Sequence, residues 1–207
     1  MKKIIRLIAI CLFLIACCDE PPIEVGKYSL SNQQRSLLPY EKGDEVNFVH
    51  SNGYEFKIKT VENEVKMESF YDFCEWTCCG SEYTSYEVQK TILESNYPNL
   101  SIEFDIEATA LEREIKELRV SLSYGVYSII NYSDTEGFTC NDEQNTKCHD
   151  SLLINDTYFY NVVECYIDTF DEIDDEKIIR PTMLLLNSES GLLKIKMSND
   201  ESYSIDI

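Results

Sequence analysis

Apolar and polar residues alternate along most of this chain, with the period of two expected of strands buried on one face. Tyr54, Phe56, Ile58 and Thr60 fall on one side of such a strand, with Glu55, Lys57 and Lys59 on the other. Val46-Asn47-Phe48-Val49 precedes it, and Asn52-Gly53 lies between the two runs. Because Asn-Gly accepts the positive φ angles of a tight turn, the two runs predict a β-hairpin. Leu100, Ile102, Phe104, Ile106 and Ala108 alternate with Ser101, Glu103, Asp105 and Glu107. Leu118, Val120, Leu122, Tyr124 and Val126 form a further stripe, and Tyr158, Tyr160 and Val162 form one side of a strand after an Asn155-Asp156 turn. Near the C-terminus Leu193, Ile195 and Met197 face Tyr203, Ile205 and Ile207 across Ser198-Asn199-Asp200-Glu201, and Gly191 closes another turn.

Two stretches depart from plain alternation. From Asp105 to Arg119 the chain has good helix formers, and Leu111, Ile115 and Leu118 have helical spacing, yet two strands joined near Leu111 to Arg113 account for it better. Ser29 to Leu38 predicts a short helical turn stopped by Pro39. The expected fold is all-β: about nine strands, mostly antiparallel, in a curved sheet, sandwich or half-open barrel with a minor helix.

The N-terminus has a different pattern. Lys2, Lys3 and Arg6 form a positive start, and an apolar run of about ten residues follows from Leu7 to Ala16, too short for the ~20 that a spanning helix needs. The run ends Leu14-Ile15-Ala16-Cys17 and resembles the lipobox of bacterial lipoproteins. The resemblance implies cleavage between Ala16 and Cys17, diacylglyceryl on the Cys17 sulfur and an acyl chain on its new amine. Several acyl chains hold where one alone is marginal, since each buried CH2 contributes about 0.8 kcal/mol. The expected organisation is a signal peptide over 1–16, a lipidated tether over 17–26 containing Asp19-Glu20-Pro21-Pro22, and one β-rich domain over 27–207. The acidic pair after the Cys resembles the surface-export signal of Bacteroidota lipoproteins. With Cys18 where an inner-membrane retention signal would have Asp, the resemblance favours the outer membrane, on its periplasmic or surface face.

Composition narrows the partners. The net charge is -20, and the bases are scattered among acids as in Glu55-Phe56-Lys57-Ile58-Lys59, so no basic patch for nucleic acid or anionic headgroups is in view. A hydrophobic share of 43% and an aromatic share of 12% are those of a folded chain.

Cys11 belongs to the leader. Cys74, Cys78, Cys79, Cys140, Cys148 and Cys165 lie in the body, where export favours disulfides. Cys140 and Cys148 bracket a polar loop and could bridge its neck. The adjacent Cys78 and Cys79 point to opposite faces on extended backbone and need different partners, for which Cys74 and Cys165 remain. Zinc on Cys74, Cys78, Cys148 and His149 lacks the tight Cys-x2-Cys knuckle, so no metal or other cofactor is expected. Only His50 and His149 are available for catalysis, and no nucleophile elbow or phosphate loop occurs. Asp171 to Glu176 is an acidic loop with oxygens for calcium but no EF-hand frame. Asp150-Ser151-Leu152 resembles the Bacteroidota O-glycosylation triplet. Tyr83, Tyr86, Tyr124, Tyr127, Tyr158, Tyr160 and Tyr166 either line a sugar- or peptide-binding surface or sit half-buried with hydroxyls at the rim.

The run from Ser29 to Phe48, with Leu38-Pro39-Tyr40 and Gly43-Asp44 before the first strand, is similar to the opening of small uncharacterised Bacteroidota lipoproteins. The ending Gly191-Leu192-Leu193-Lys194-Ile195-Lys196 is similar too. That family carries no activity to transfer. The expected function is an acyl-anchored envelope lipoprotein, a non-enzymatic binding or structural module held to the membrane through Cys17, with a protein or glycan partner. The alternatives are a lipocalin-like carrier of a small apolar ligand and an envelope hydrolase using carboxylates.

Overall fold

The computed structural model describes residues 21–72, 82–108, 116–122, 126–133, 137–140, 145–167 and 179–207. Among them lie thirteen strands and one short helix. The strands are β1 (Ile23–Tyr28), β2 (Glu45–His50), β3 (Glu55–Asp72), β4 (Glu82–Ser95), β5 (Leu100–Glu107), β6 (Lys116–Leu122), β7 (Val126–Ser133), β8 (Gly137–Thr139), β9 (Thr146–Ile154), β10 (Thr157–Tyr166), β11 (Pro181–Asn187), β12 (Gly191–Met197) and β13 (Ser202–Ile205); the helix α1 is Asn32–Arg35. Twelve strands form one antiparallel sheet in the order β8-β7-β6-β5-β4-β3-β2-β13-β12-β11-β10-β9, which curls until it is nearly closed into a barrel. The all-β expectation is met, and of the three shapes it left open the sheet takes the curved or half-open-barrel form.

Burial follows the alternation. On β5 every second residue from Leu100 to Ile106 is buried while the intervening ones are not. Ile102, Phe104, Leu118, Val120, Ile130, Leu184, Leu186, Leu193 and Ile195 have 0% exposure and belong to one continuous core. Side chains so completely covered border no water-sized space, and each contributes roughly 1.5–3 kcal/mol by leaving water.

Several local expectations change. Thirteen strands exceed the expected nine, and β4 is among those that alternation does not reveal: its inward positions include the polar Ser85, Gln89, Thr91 and Ser95, all buried. The Leu118-to-Val126 stripe is not one strand. Leu122 ends β6, and Val126 opens β7 directly opposite it. Asp105 to Arg119 does contribute two paired strands, β5 and β6. The Asn52-Gly53 hairpin has a three-residue loop: His50 and Tyr54 bond across it, and only Gly53 takes positive φ (+87°). At the Asn155-Asp156 turn both residues do (46° and 63°), as a two-residue hairpin requires. β1 begins inside the stretch read as tether. Ile207 lies past β13 and is exposed.

Two features hold the barrel together. The first is Tyr40, buried in the core, whose hydroxyl accepts from Leu192 N at 2.6 Å. Gly191 sits against that ring with φ +73°, and a Cβ there would collide with the Tyr40 hydroxyl. The Leu38-Pro39-Tyr40 segment and the C-terminal Gly191–Lys196 segment therefore meet. The second is the seam between the ends of the sheet. Cys140, just past β8, is disulfide-bonded to Cys148 on β9, with Cα atoms 5.6 Å apart. Ser128 on β7 lies 2.8 Å (Oγ to Sγ) from the buried Cys165 on β10 and donates to the Tyr166 carbonyl at 3.3 Å.

Two predictions follow from these contacts. Gly191→Ala should lower unfolding free energy by about 2 kcal/mol or more in urea titrations, because strain at positive φ adds to the clash. The double variant Cys140→Ser/Cys148→Ser should lower it by about 2–3 kcal/mol through freed loop entropy, with the far-ultraviolet spectrum unchanged.

Candidate functional site

The outer surface of the β9–β10 hairpin gathers the aromatic residues that the core does not use. Antiparallel pairing places Tyr158 opposite Leu153, Tyr160 opposite Ser151 and Glu164 opposite Lys147. Alternation buries Phe159, Val163 and Cys165 and leaves Tyr158, Tyr160 and Tyr166 exposed. At Asn161, whose φ is +52°, the alternation breaks and Val162 is buried as well as Val163.

One end of this surface is fixed by hydrogen bonds. His149 Nε2 lies 2.6 Å from Glu164 Oε2, and the Tyr166 hydroxyl donates to Glu164 Oε1 at 2.5 Å. Burial works to raise the Glu164 carboxyl, but the bonds from Tyr166 and His149 and the nearby charges of His149 and Lys147 outweigh it and hold it below the usual carboxylate range. The same bond raises the Tyr166 hydroxyl. Glu164 is thus an acceptor with both oxygens engaged, suited to orienting a donor and ill suited to general-acid chemistry. The hairpin register predicts this unit: counting back from Asn155-Asp156 places His149 opposite Val162 and diagonal to Glu164. The Asn155-Asp156 turn is legible in the sequence, while the His149–Glu164 pair emerges only from the register.

A second charged group lies across β4, β5 and β6. Lys90 Nζ bonds Glu103 Oε1 at 2.5 Å, Asp105 stands opposite Lys90 and Arg119, and Arg119 Nη1 lies 3.3 Å from Glu107. Burial, then the charge of Glu103, pushes the Asp105 carboxyl up to about 6 against the pull of Lys90 and Arg119. Glu103 and Glu107 are thus ion-paired across the strands, and Asp105 lies between them.

The other candidates are placed as follows. Cys140 and Cys148 pair, so Cys148 is not a thiolate for zinc, and His149 turns to Glu164. Cys165 is buried beside Ser128. Ser151 of the glycosylation-like triplet is exposed on β9. Tyr83 and Tyr86 are half-buried, with the Tyr83 ring 5.4 Å from that of Tyr71. His50 lies at the β2–β3 turn, 3.6 Å from Glu201. Ala16, Cys17, Cys18, Cys74, Cys78, Cys79, Tyr124, the Tyr127 side chain and the acidic loop Asp171–Glu176 lie outside the described residues. Among the described residues no cluster of three or more His, Cys, Asp or Glu could hold a metal, and no helix is long and apolar enough to cross a membrane. The chain matches no family model, no curated protein and no solved structure.

The Asp105 environment has a measurable consequence. A carboxyl raised on folding binds its proton more tightly in the folded state, so its contribution to stability falls as pH rises from about 4 to about 6. Asp105→Asn should remove that decline. Relative to the parent, the variant should gain stability at pH 7.5 compared with pH 4.5 in urea unfolding.

Proposed function

We propose that this protein is an acyl-anchored lipoprotein of the bacterial outer membrane and a non-enzymatic binding module, with the β9–β10 outer surface as its recognition face for a glycan or an extended peptide. The anchor rests on the leader and on Leu14-Ile15-Ala16-Cys17. The observation that carries the binding role is the pair Tyr158 and Tyr160, 62% and 59% exposed, on the β9–β10 hairpin that also holds the Tyr166–Glu164–His149 unit. Large rings left in water next to a fixed polar group offer what a sugar or peptide requires: an apolar plate for C–H groups and an oriented acceptor for hydroxyl or amide donors.

The carrier alternative draws on the barrel-like closure. Against it stands the packing of the interior, where side chains at 0% exposure leave no room beside them for a ligand. The hydrolase alternative would use Glu103 and Asp105; Glu103 is held by Lys90 at 2.5 Å, and Asp105 stands opposite Lys90 and Arg119 on the neighbouring strands.

Two measurements test the proposal. Metabolic labelling with radioactive palmitate should mark the parent chain and not Cys17→Ala; label on both, or on neither, rejects the anchor. On arrays of glycans and random peptides the parent should retain ligands that Tyr158→Ala/Tyr160→Ala binds about tenfold or more weakly. Equal binding by the two rejects the recognition face.

A further inference from the structure

Beyond the barrel, β3 and β4 continue as a blade. A register shift between Thr60 and Glu62 separates the barrel part of β3 from its outer part. From Val65 to Tyr71 every residue of β3 is exposed, while Ser85 and Val88 on the facing part of β4 are buried. β1 adds a third strand, parallel to β4, on the side that β5 vacates after Glu107 pairs with Val88. The blade leaves Val65, Met67, Phe70 and Tyr71 exposed on β3, and Ile23 and Val25 on β1. Phe70 and Ile23, 64% and 58% exposed, lie close to the outer end of the blade.

The direction of β1 decides what these side chains meet. Ile23 and Asp72 are both opposite Glu82, so the chain enters at the outer end of the blade and not at the barrel. Cys17 precedes Ile23 by six residues, a span of at most about 20 Å even when fully extended. From Glu82 to Val88 the blade covers six residues of strand, or roughly 20 Å.

We infer that the blade is a standoff: its outer end seats in the interfacial layer of the bilayer that holds the Cys17 lipid, and it keeps the barrel about 20 Å above the surface. This rests on the anchor proposed above. Tyr71 and Tyr83 at the end suit an interface, where aromatic rings concentrate. Beyond Thr60 on β3 and from Glu82 to Val88 on β4, Glu62, Glu64, Glu68, Asp72, Glu82 and Glu87 outnumber Lys66, so the matching surface is zwitterionic and not anionic. The opposite end of the barrel carries Tyr54 and Tyr97, in edge contact at 5.3 Å, near the β2–β3 turn.

Hydroxyl-radical footprinting tests the standoff, using the full chain purified from membranes and reconstituted in phosphatidylethanolamine–phosphatidylcholine vesicles. The reference is Cys17→Ala protein in vesicle-free buffer. Oxidation of Phe70 and Tyr71 at the outer end should fall about fivefold on vesicles, while Met67 at the barrel end of the blade, Tyr54 and Tyr97 react as before. The mass of the N-terminal peptide reports the lipid independently. An unlipidated N-terminus rejects the anchor and the standoff with it. A lipidated chain with undiminished oxidation of Phe70 and Tyr71 rejects the standoff alone. Protection that appears in vesicle-free Cys17→Ala protein as its concentration rises assigns the blade to self-association and also overturns the inference.

Discussion

A curled sheet must meet itself or leave rows of unpaired amide and carbonyl groups at its two ends. In this protein β8 and β9 end the strand order and are not hydrogen-bonded neighbours. Closure falls to side chains: the Cys140–Cys148 bridge on one pair of strands, and Ser128 with Cys165 and the Tyr166 carbonyl on the next pair in. These contacts join the two ends of the sheet, since among the described residues no backbone ladder joins β8 to β9. The same contacts explain why the aromatic surface is where it is. Cys165 must point inward to reach Ser128, which sends Glu164 and Tyr166 outward on the same strand.

The segment between β1 and β2 works as a strap over several strands. Ser31 caps α1 and Gln34 bonds back to it, and the Gln34 amide then donates to the Tyr132 hydroxyl on β7 at 3.1 Å. Arg35 reaches Glu87 on β4 at 2.6 Å, and Leu30 N bonds the same carboxylate at 2.9 Å. Tyr40 ends the strap inside the core, with its carbonyl taken by Asn63 on β3 and its hydroxyl by Leu192 on β12. One short segment thus ties together strands that lie far apart in the sheet order. The Arg35–Glu87 pair alone is partly exposed and adds little; the buried bonds of Gln34 and Tyr40 do more, because breaking either strands a polar group away from water.

How far the sequence showed this depended on what each strand buries. β5 was legible residue by residue, since its inward positions are all apolar and its outward ones all polar. β4 was not, because it turns Ser85, Gln89, Thr91 and Ser95 inward, where Gln89 bonds Asn63 at 3.0 Å instead of packing on hydrocarbon. A pattern search for apolar periodicity passes over such a strand. The stripe running from Leu118 through Val126 misled for the opposite reason: its spacing stayed regular while the chain folded back between Leu122 and Val126. The Cys140–Cys148 bridge was foreseeable from its short polar loop, whereas the His149–Glu164 contact needed the hairpin register, which only the paired strands supply.

The blade owes its character to one residue. The pairing of β3 with β4 shifts at Val61, and a shift of one residue exchanges the two faces of everything that follows. Before it, Phe56, Ile58 and Thr60 point into the barrel. After it, Val65 and Met67 share a face with Gln89 and Glu87, whose polar groups bond to Asn63, Arg35 and Leu30 and leave no apolar surface to pack against. The outer half of β3 therefore has good strand residues and no core. Its backbone pairs with β4 along one edge, and its side chains from Val65 to Tyr71 are exposed. A strand in that condition is a surface awaiting a partner, and the direction of β1 places the start of the chain beside it.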